Sequence, residues 1–153
     1  MILSACGADD IAVVRQLFQE YWDSFGFTPC FQGFGDELAA LPGAYSPPDG
    51  RLAIAVVDDL PAGCAALRRV DADRCEAKRL YVRPAFRGRG VGRDLLRWLI
   101  EEARGAGYAE MVGDTMPVMQ QALEMYDRTG FERTGPYSDH PTEGAIYIRL
   151  KLR

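Results

Sequence analysis

Apolar positions along this chain follow two rhythms, one helical and one alternating. Val13, Val14, Leu17, Phe18 and Tyr21 recur at three- or four-residue spacing, which places them on one face of a helix. Asp9 or Asp10 is the expected N-cap, and Gly26 marks the expected end. Glycines and prolines then interrupt the pattern as far as Pro48, with a short helical piece predicted over Asp36 to Leu41. Leu52 to Val57 and Ala62 to Val70 are β-rich runs separated by Asp58-Asp59-Leu60-Pro61, which reads as a hairpin. Cys75 to Val82 makes the third strand of that meander. The helical rhythm returns from Val91 to Arg104 and stops at Gly105 and Gly107. Glu110 to Asp114 reads as a strand, Pro117 to Arg128 as a helix with proline in its first turn, and Phe131-Glu132-Arg133 as a strand. Ala145 to Leu152 places Ile146, Ile148, Leu150 and Leu152 on one face, a strand that closes the sheet. These elements predict an α/β fold, a mixed sheet with helices on both faces.

The 153 residues suffice for one core, so residues 1–153 are expected to form one domain. No apolar run approaches the roughly 18 residues of a membrane span, and Met-Ile-Leu-Ser-Ala-Cys lacks the features of a signal peptide. The expectation is a cytoplasmic protein without membrane contact. Cys6, Cys30, Cys64 and Cys75 have no C-x-x-C spacing and only one histidine to join them, which predicts buried reduced thiols and no metal. Charge is unevenly spread: residues 68–104 hold 11 Lys+Arg against 6 Asp+Glu, a local +5, while the remainder holds 7 against 16, or −9. The basic block suits a phosphorylated ligand and the acidic remainder a cationic one or simple solubility. Basic residues gathered around one loop, with a pI near 5.0, exclude nucleic acid as the expected partner.

That loop is Arg87-Gly88-Arg89-Gly90-Val91-Gly92, between a strand and a helix. Its glycines let the backbone approach an anion, and the free N–H groups of the following helix point outward with roughly half a positive charge. Arg87, Arg89 and Arg93 add fixed cations. A Walker loop would need a lysine and a hydroxyl residue that are missing here, and the position in the chain does not suit a dinucleotide fingerprint.

The R-x-x-G-x-G spacing, preceded by Leu80-Tyr81-Val82-Arg83-Pro84, resembles the acetyl-CoA pyrophosphate loop of the GNAT superfamily of N-acetyltransferases. The resemblance continues in Ala122-Leu123-Glu124-Met125-Tyr126-Asp127-Arg128-Thr129-Gly130-Phe131, which looks like the family's tyrosine-bearing helix followed by Gly-Phe and a strand. It implies a splayed central sheet that admits the coenzyme, with acetyl-CoA as co-substrate and no metal. It further implies that the main chain of Leu80, Tyr81 and Val82 binds the acyl carbonyl and pantetheine arm, that Arg87, Gly88, Arg89, Gly90, Val91, Gly92 and Arg93 hold the pyrophosphate, and that Tyr126 donates to the coenzyme sulfur. Met119 stands seven residues before the tyrosine, where many members carry an asparagine, and a thioether cannot replace an amide donor.

Acyl transfer to an amine asks for a base, because an amine of pKa near 10.4 is only about one part in two thousand neutral at pH 7. Glu76, eleven residues before Arg87, matches a catalytic glutamate of some members. Strand alternation would place it with Lys78, Leu80 and Val82 on one face, and pairing with Lys78 is its structural alternative. Asp114 is the rival carboxylate, as base or as anchor for a substrate ammonium. His140 is a further contact or a surface residue. Phe25, Phe27, Phe31, Phe34 and Tyr45 form either a substrate wall or part of the core. The expected activity is acetyl transfer to a primary amine, on a small molecule, an amino acid or a protein, directly within a ternary complex. No cysteine or serine lies in a recognisable nucleophile motif. A non-catalytic acyl-CoA-binding module is the alternative, and exposed strands and aromatics are compatible with a homodimer.

Overall fold

The computed structural model describes residues 1–24, 34–117, 119–137 and 144–153. Its strands are β1 (Ile2–Ser4), β2 (Arg51–Val57), β3 (Leu60–Arg69), β4 (Arg74–Val82), β5 (Glu110–Thr115), β6 (Glu132–Thr134) and β7 (Ile146–Lys151), in one sheet of order β1-β2-β3-β4-β5-β7-β6. The helices are α1 (Gly7–Asp23), α2 (Phe34–Ala40), α3 (Val91–Gly105) and α4 (Gln120–Thr129). Neighbouring strands run antiparallel except β4 and β5, the pair joined by the α3 crossover that a parallel connection requires.

Local chemistry accounts for most boundaries and corrects several expectations. The β2–β3 loop is only Asp58 and Asp59, both left-handed at φ 52° and 63°, so Leu60 and Pro61 already belong to β3. A two-residue loop of that hand matches the strand twist, and aspartate tolerates it. Pro61 sits where the register shifts between Ala55 and Val56, a place where a missing N–H costs no ladder bond. Helix α1 starts at Gly7, with Cys6 and not Asp9 or Asp10 at the N-cap. Asp10 instead accepts the Cys6 N–H at 3.0 Å from within the first turn. Helix α4 starts at Gln120 and not Pro117, because the chain first closes a turn in which the Met119 N–H donates to the Met116 carbonyl at 2.9 Å. The expected end of α1 at Gly26 lies outside the described residues.

Each face of the sheet carries its own core. Leu95, Leu96, Leu99 and Ala103 of α3 pack with Leu67, Cys75, Met111, Ile148, and Tyr126 of α4. On the other face Val14, Leu17 and Phe18 of α1 pack with Phe34, Leu52, Ile54, Cys64 and Tyr81. Phe34 stacks on Trp22 at 4.2 Å, and Tyr45 meets Phe18 edge-on. These two aromatics are therefore core residues rather than an open substrate wall; Phe25, Phe27 and Phe31 lie outside the described residues. Cys64 and Cys75 are buried free thiols as expected, Cys6 is exposed, and Cys30 is not among the described residues.

Two irregularities open and bend the middle of the sheet. Pairing between β4 and β5 spans only Arg74–Glu110, Cys75–Met111 and Glu76–Val112, after which both strands continue unpaired with one another. The sheet opens there into a V. On its other side, β4 carries one residue more than β3 between the pairs Ala66–Lys78 and Cys64–Tyr81. That bulge includes Arg79, left-handed at φ 59°. It breaks the expected alternation: Glu76 no longer shares a face with Leu80 and Val82, which pack with the α3 core, whereas Tyr81 turns to the α1 core.

Candidate active site

A left-handed arginine is strained, and its surroundings hold it in place. The Arg79 guanidinium donates to both carboxylate oxygens of Glu37 on α2, at 3.0 and 3.1 Å, and lies 5.4 Å from the Phe34 ring centre. Its carbonyl accepts the Cys64 thiol at 3.3 Å. Helix α2 is thus tied to the bulge, which lies just beyond the last β4–β5 pair, where the V opens.

The floor of the V is a narrow cleft lined by Tyr21, Ala77, Lys78, Arg79, Leu80, Asp114, Thr115, Met119, Ala122 and Tyr126. Of the residues singled out by sequence, Leu80, Asp114 and Tyr126 meet here. The Tyr126 ring is 7% exposed and packs edge-on against Phe131 at 5.2 Å. Burial, with Tyr21 and Asp114 adding to it, raises its hydroxyl pKa well above the ordinary tyrosine value. Met119 lines the cleft where the family's asparagine would stand, and its sulfur accepts the Thr115 hydroxyl at 3.7 Å.

Asp114 lies just beyond Val112, the last residue at which β5 is held by β4. Its surface is open to solvent, yet the walls around it raise its carboxyl pKa, as does the Glu76 charge; Lys78 and Arg79 oppose the rise. Burial lowers the Lys78 ammonium pKa, against the pull of Glu76. Tyr21, which ends the apolar stripe of α1, reaches the same cleft, where burial raises its pKa to about 12. The periodicity of α1 identified Tyr21 only as a core position; nothing in its spacing marks it as a cleft residue.

Glu76 lies below the cleft and is 3% exposed. Oε1 accepts Arg68 Nε at 2.7 Å, Oε2 accepts the Tyr137 hydroxyl, and Lys78 Nζ stands 3.9 Å away. Burial and the Glu76 charge both drive the Tyr137 pKa upward, keeping its proton in place as a donor. His140 lies outside the described residues.

At the other end of β4, Arg87 to Gly92 forms the turn into α3. Gly88 and Gly90 are left-handed at φ 81° and 79°, and Gly90 is the N-cap. Its carbonyl takes the Asp94 N–H at 3.0 Å, which leaves the N–H groups of Val91, Gly92 and Arg93 in the first turn without helical partners. Arg87 donates to the Val82 carbonyl at 3.0 Å, Arg89 lies 5.7 Å from the Phe86 ring centre, and Arg93 arches over Gly90. Below this turn, a groove between α3 and α4 is lined by Arg93, Arg97, Arg104 and Arg128 over a floor of Ile100, Met125 and Leu150, without a carboxylate in its lining. Among the described residues, no cluster of three or more metal-ligating side chains occurs, and no helix is long and apolar enough to cross a membrane.

Known proteins share this fold. Residues 14–131 match the acetyltransferase (GNAT) family. An uncharacterised N-acetyltransferase of Schizosaccharomyces pombe is 37% identical over 145 residues, covering 94% of this chain and 89% of its own. A GNAT-family acetyltransferase from Staphylococcus aureus superposes with a TM-score of 0.84 over 100% of this chain and 99% of its own, at 15% identity. One from Elizabethkingia anophelis, solved with acetyl-CoA bound, gives a TM-score of 0.58 over 67% of this chain and 76% of its own, at 24% identity.

Proposed function

The chain belongs to the acetyltransferase (GNAT) family, and on that premise we propose that it moves an acetyl group from acetyl-CoA to a primary amine by direct attack within a ternary complex. The observation that carries this reading is the open V. One strand, β4, runs from a cleft containing a buried tyrosine and a carboxylate to a helix start rich in glycine and arginine. The pantetheine arm lies along the main chain of Leu80, Tyr81 and Val82, where β4 has no β5 partner to satisfy it. The pyrophosphate sits on the α3 N-terminus, with Arg87, Arg89 and Arg93 around Gly88, Gly90, Val91 and Gly92. The 3′-phosphate follows the arginine groove toward Arg97 and Arg128. A cytoplasmic setting completes the proposal.

Asp114 takes the amine proton. Both Glu76 oxygens already hold partners, so its role is to fix Arg68 and Tyr137 beneath the cleft. A base must be ionised to work, so activity is present above the Asp114 pKa and lost as pH falls through it. Because that pKa is raised, the loss begins at higher pH than for an ordinary aspartate. A base that takes the proton of the bound ammonium leaves log kcat/KM level between the Asp114 pKa and the amine pKa and gives it a slope of about one below the Asp114 pKa. Asp114→Asn should abolish that plateau and extend a slope of about one up to the amine pKa. An unchanged profile in that variant would remove Asp114 from proton transfer.

Thermal unfolding with acetyl-CoA, CoA, 3′-dephospho-CoA and ATP tests the donor site. At a hundred times its Kd a ligand adds about 2.7 kcal/mol, or about 5–10 °C for a chain of this size. The expected order is CoA and acetyl-CoA first, 3′-dephospho-CoA next and ATP last. Absence of any CoA-specific shift would overturn the proposed donor site.

A further inference from the structure

We propose that Glu20 and Arg83 act as a pair of positioning residues that seats the glycine- and arginine-rich turn for the coenzyme pyrophosphate and thereby sets acetyl-CoA affinity; this rests on the acetyl-transfer reading above. Arg83 is the first residue after β4, immediately before the turn Pro84–Phe86 that leads into Arg87. Its guanidinium is held on three nitrogens. Nε donates to Glu20 Oε1 at 2.9 Å, Nη2 to Glu20 Oε2 at 2.7 Å and Nη1 to the Pro61 carbonyl at 3.1 Å. The main chain is fixed too: the Arg83 N–H donates to the Ala62 carbonyl at 2.8 Å, and its carbonyl accepts the Phe86 N–H at 2.9 Å. One side chain thus ties the exit of β4 to α1 and to the start of β3, with a bidentate geometry that arginine offers and lysine does not.

Beyond Arg83 the turn is held chiefly at its ends. Arg87, Gly88 and Arg89 are exposed, and a side chain at Gly88 would meet nothing within 4 Å. The Arg89–Asp58 ion pair is exposed and long at 3.5 Å, and so adds little. At the far end, Val91 and Leu95 anchor α3 in the core. At the near end that task falls to Arg83. The Arg83 hydrogen bonds hold the Glu20 carboxyl below the usual carboxylate range, so the pair stays ionised at neutral pH. The next residue of α1, Tyr21, lines the cleft, and one helix therefore serves both ends of the coenzyme track. Without the pair, binding has to order the turn, and affinity falls by that cost.

Isothermal titration with acetyl-CoA, at a temperature where every variant is folded, compares the wild type with Glu20→Gln, Arg83→Met, Arg83→Lys and the double variant Glu20→Gln/Arg83→Met. Glu20→Gln should raise Kd by about 3- to 30-fold. The sign is diagnostic, because bare electrostatics gives the reverse: removing a carboxylate near a pyrophosphate tightens binding. Arg83→Met should weaken binding at least as much, Arg83→Lys by less, and the double variant no more than Arg83→Met alone, since one interaction cannot be lost twice. A lowered Kd in Glu20→Gln would overturn the proposal. So would an unchanged Kd with a lower Tm of the ligand-free protein, which would mark the pair as structural only. Additive losses in the double variant would overturn it as well. A wild type that does not bind acetyl-CoA would instead overturn the donor site itself, and the pair's role with it.

Discussion

Tyr126→Phe is expected to lower kcat by about 100-fold or more, with little change in the acetyl-CoA KM and an unaltered fold. The ring would still pack against Phe131, since the substitution removes only the hydroxyl. We propose that what is lost is a donor at the place where thiolate charge develops. Burial raises the Tyr126 pKa, so the hydroxyl gives up its proton reluctantly, yet the same dry surroundings raise the proton affinity of the departing thiolate. On the proposed mechanism the hydroxyl would stabilise the leaving group by a hydrogen bond that strengthens as the C–S bond breaks, which is transition-state rather than ground-state binding. Steady-state kinetics at saturating acceptor would decide it. An unchanged kcat would remove Tyr126 from leaving-group chemistry, and a rise in the acetyl-CoA KM alone would make it a binding residue.

Glu37→Ala is expected to destabilise the protein by about 3–5 kcal/mol, because it strands the Arg79 guanidinium in a site where the two side chains are only 10% and 15% exposed. For a chain of this length that corresponds to a fall in Tm of roughly 10 °C or more. The loss should exceed that of Glu37→Gln, which keeps the shape and one acceptor. It should be partly recovered in the double variant Glu37→Ala/Arg79→Ala, which leaves no buried charge alone. A Tm drop of less than about 2 °C for Glu37→Ala would mean that α2 does not hold the bulge.

Much of the fold was legible because its signals are local. Val13 to Tyr21 and Val91 to Arg104 bury the faces their spacing indicates, and the β2–β3–β4 meander follows from alternating runs broken by aspartates. The three misplaced features have short-range causes that composition does not show. Cys6 took the α1 cap because Asp10 reaches back to its N–H, Leu60 and Pro61 joined β3 because two aspartates alone close the hairpin, and α4 started late because a turn precedes it.

The contiguous part of the candidate site was legible in sequence alone: two left-handed glycines, three arginines and a helix start all lie within Arg87 to Arg93, and short-range sterics suffice to build them. The cleft was decided by tertiary structure. Beside its opening Arg79 adopts a conformation that arginine rarely holds, bound there by Glu37, 42 positions earlier in the chain. That one residue of bulge reversed the faces of Leu80, Tyr81 and Val82, and no periodicity could announce it. Glu76 likewise looked available in sequence and is occupied in space, by Arg68 and by Tyr137, 61 positions away. Charge pairing between distant residues is settled by which of them the fold brings within hydrogen-bond reach, and here it left Lys78 and Asp114 facing one cleft.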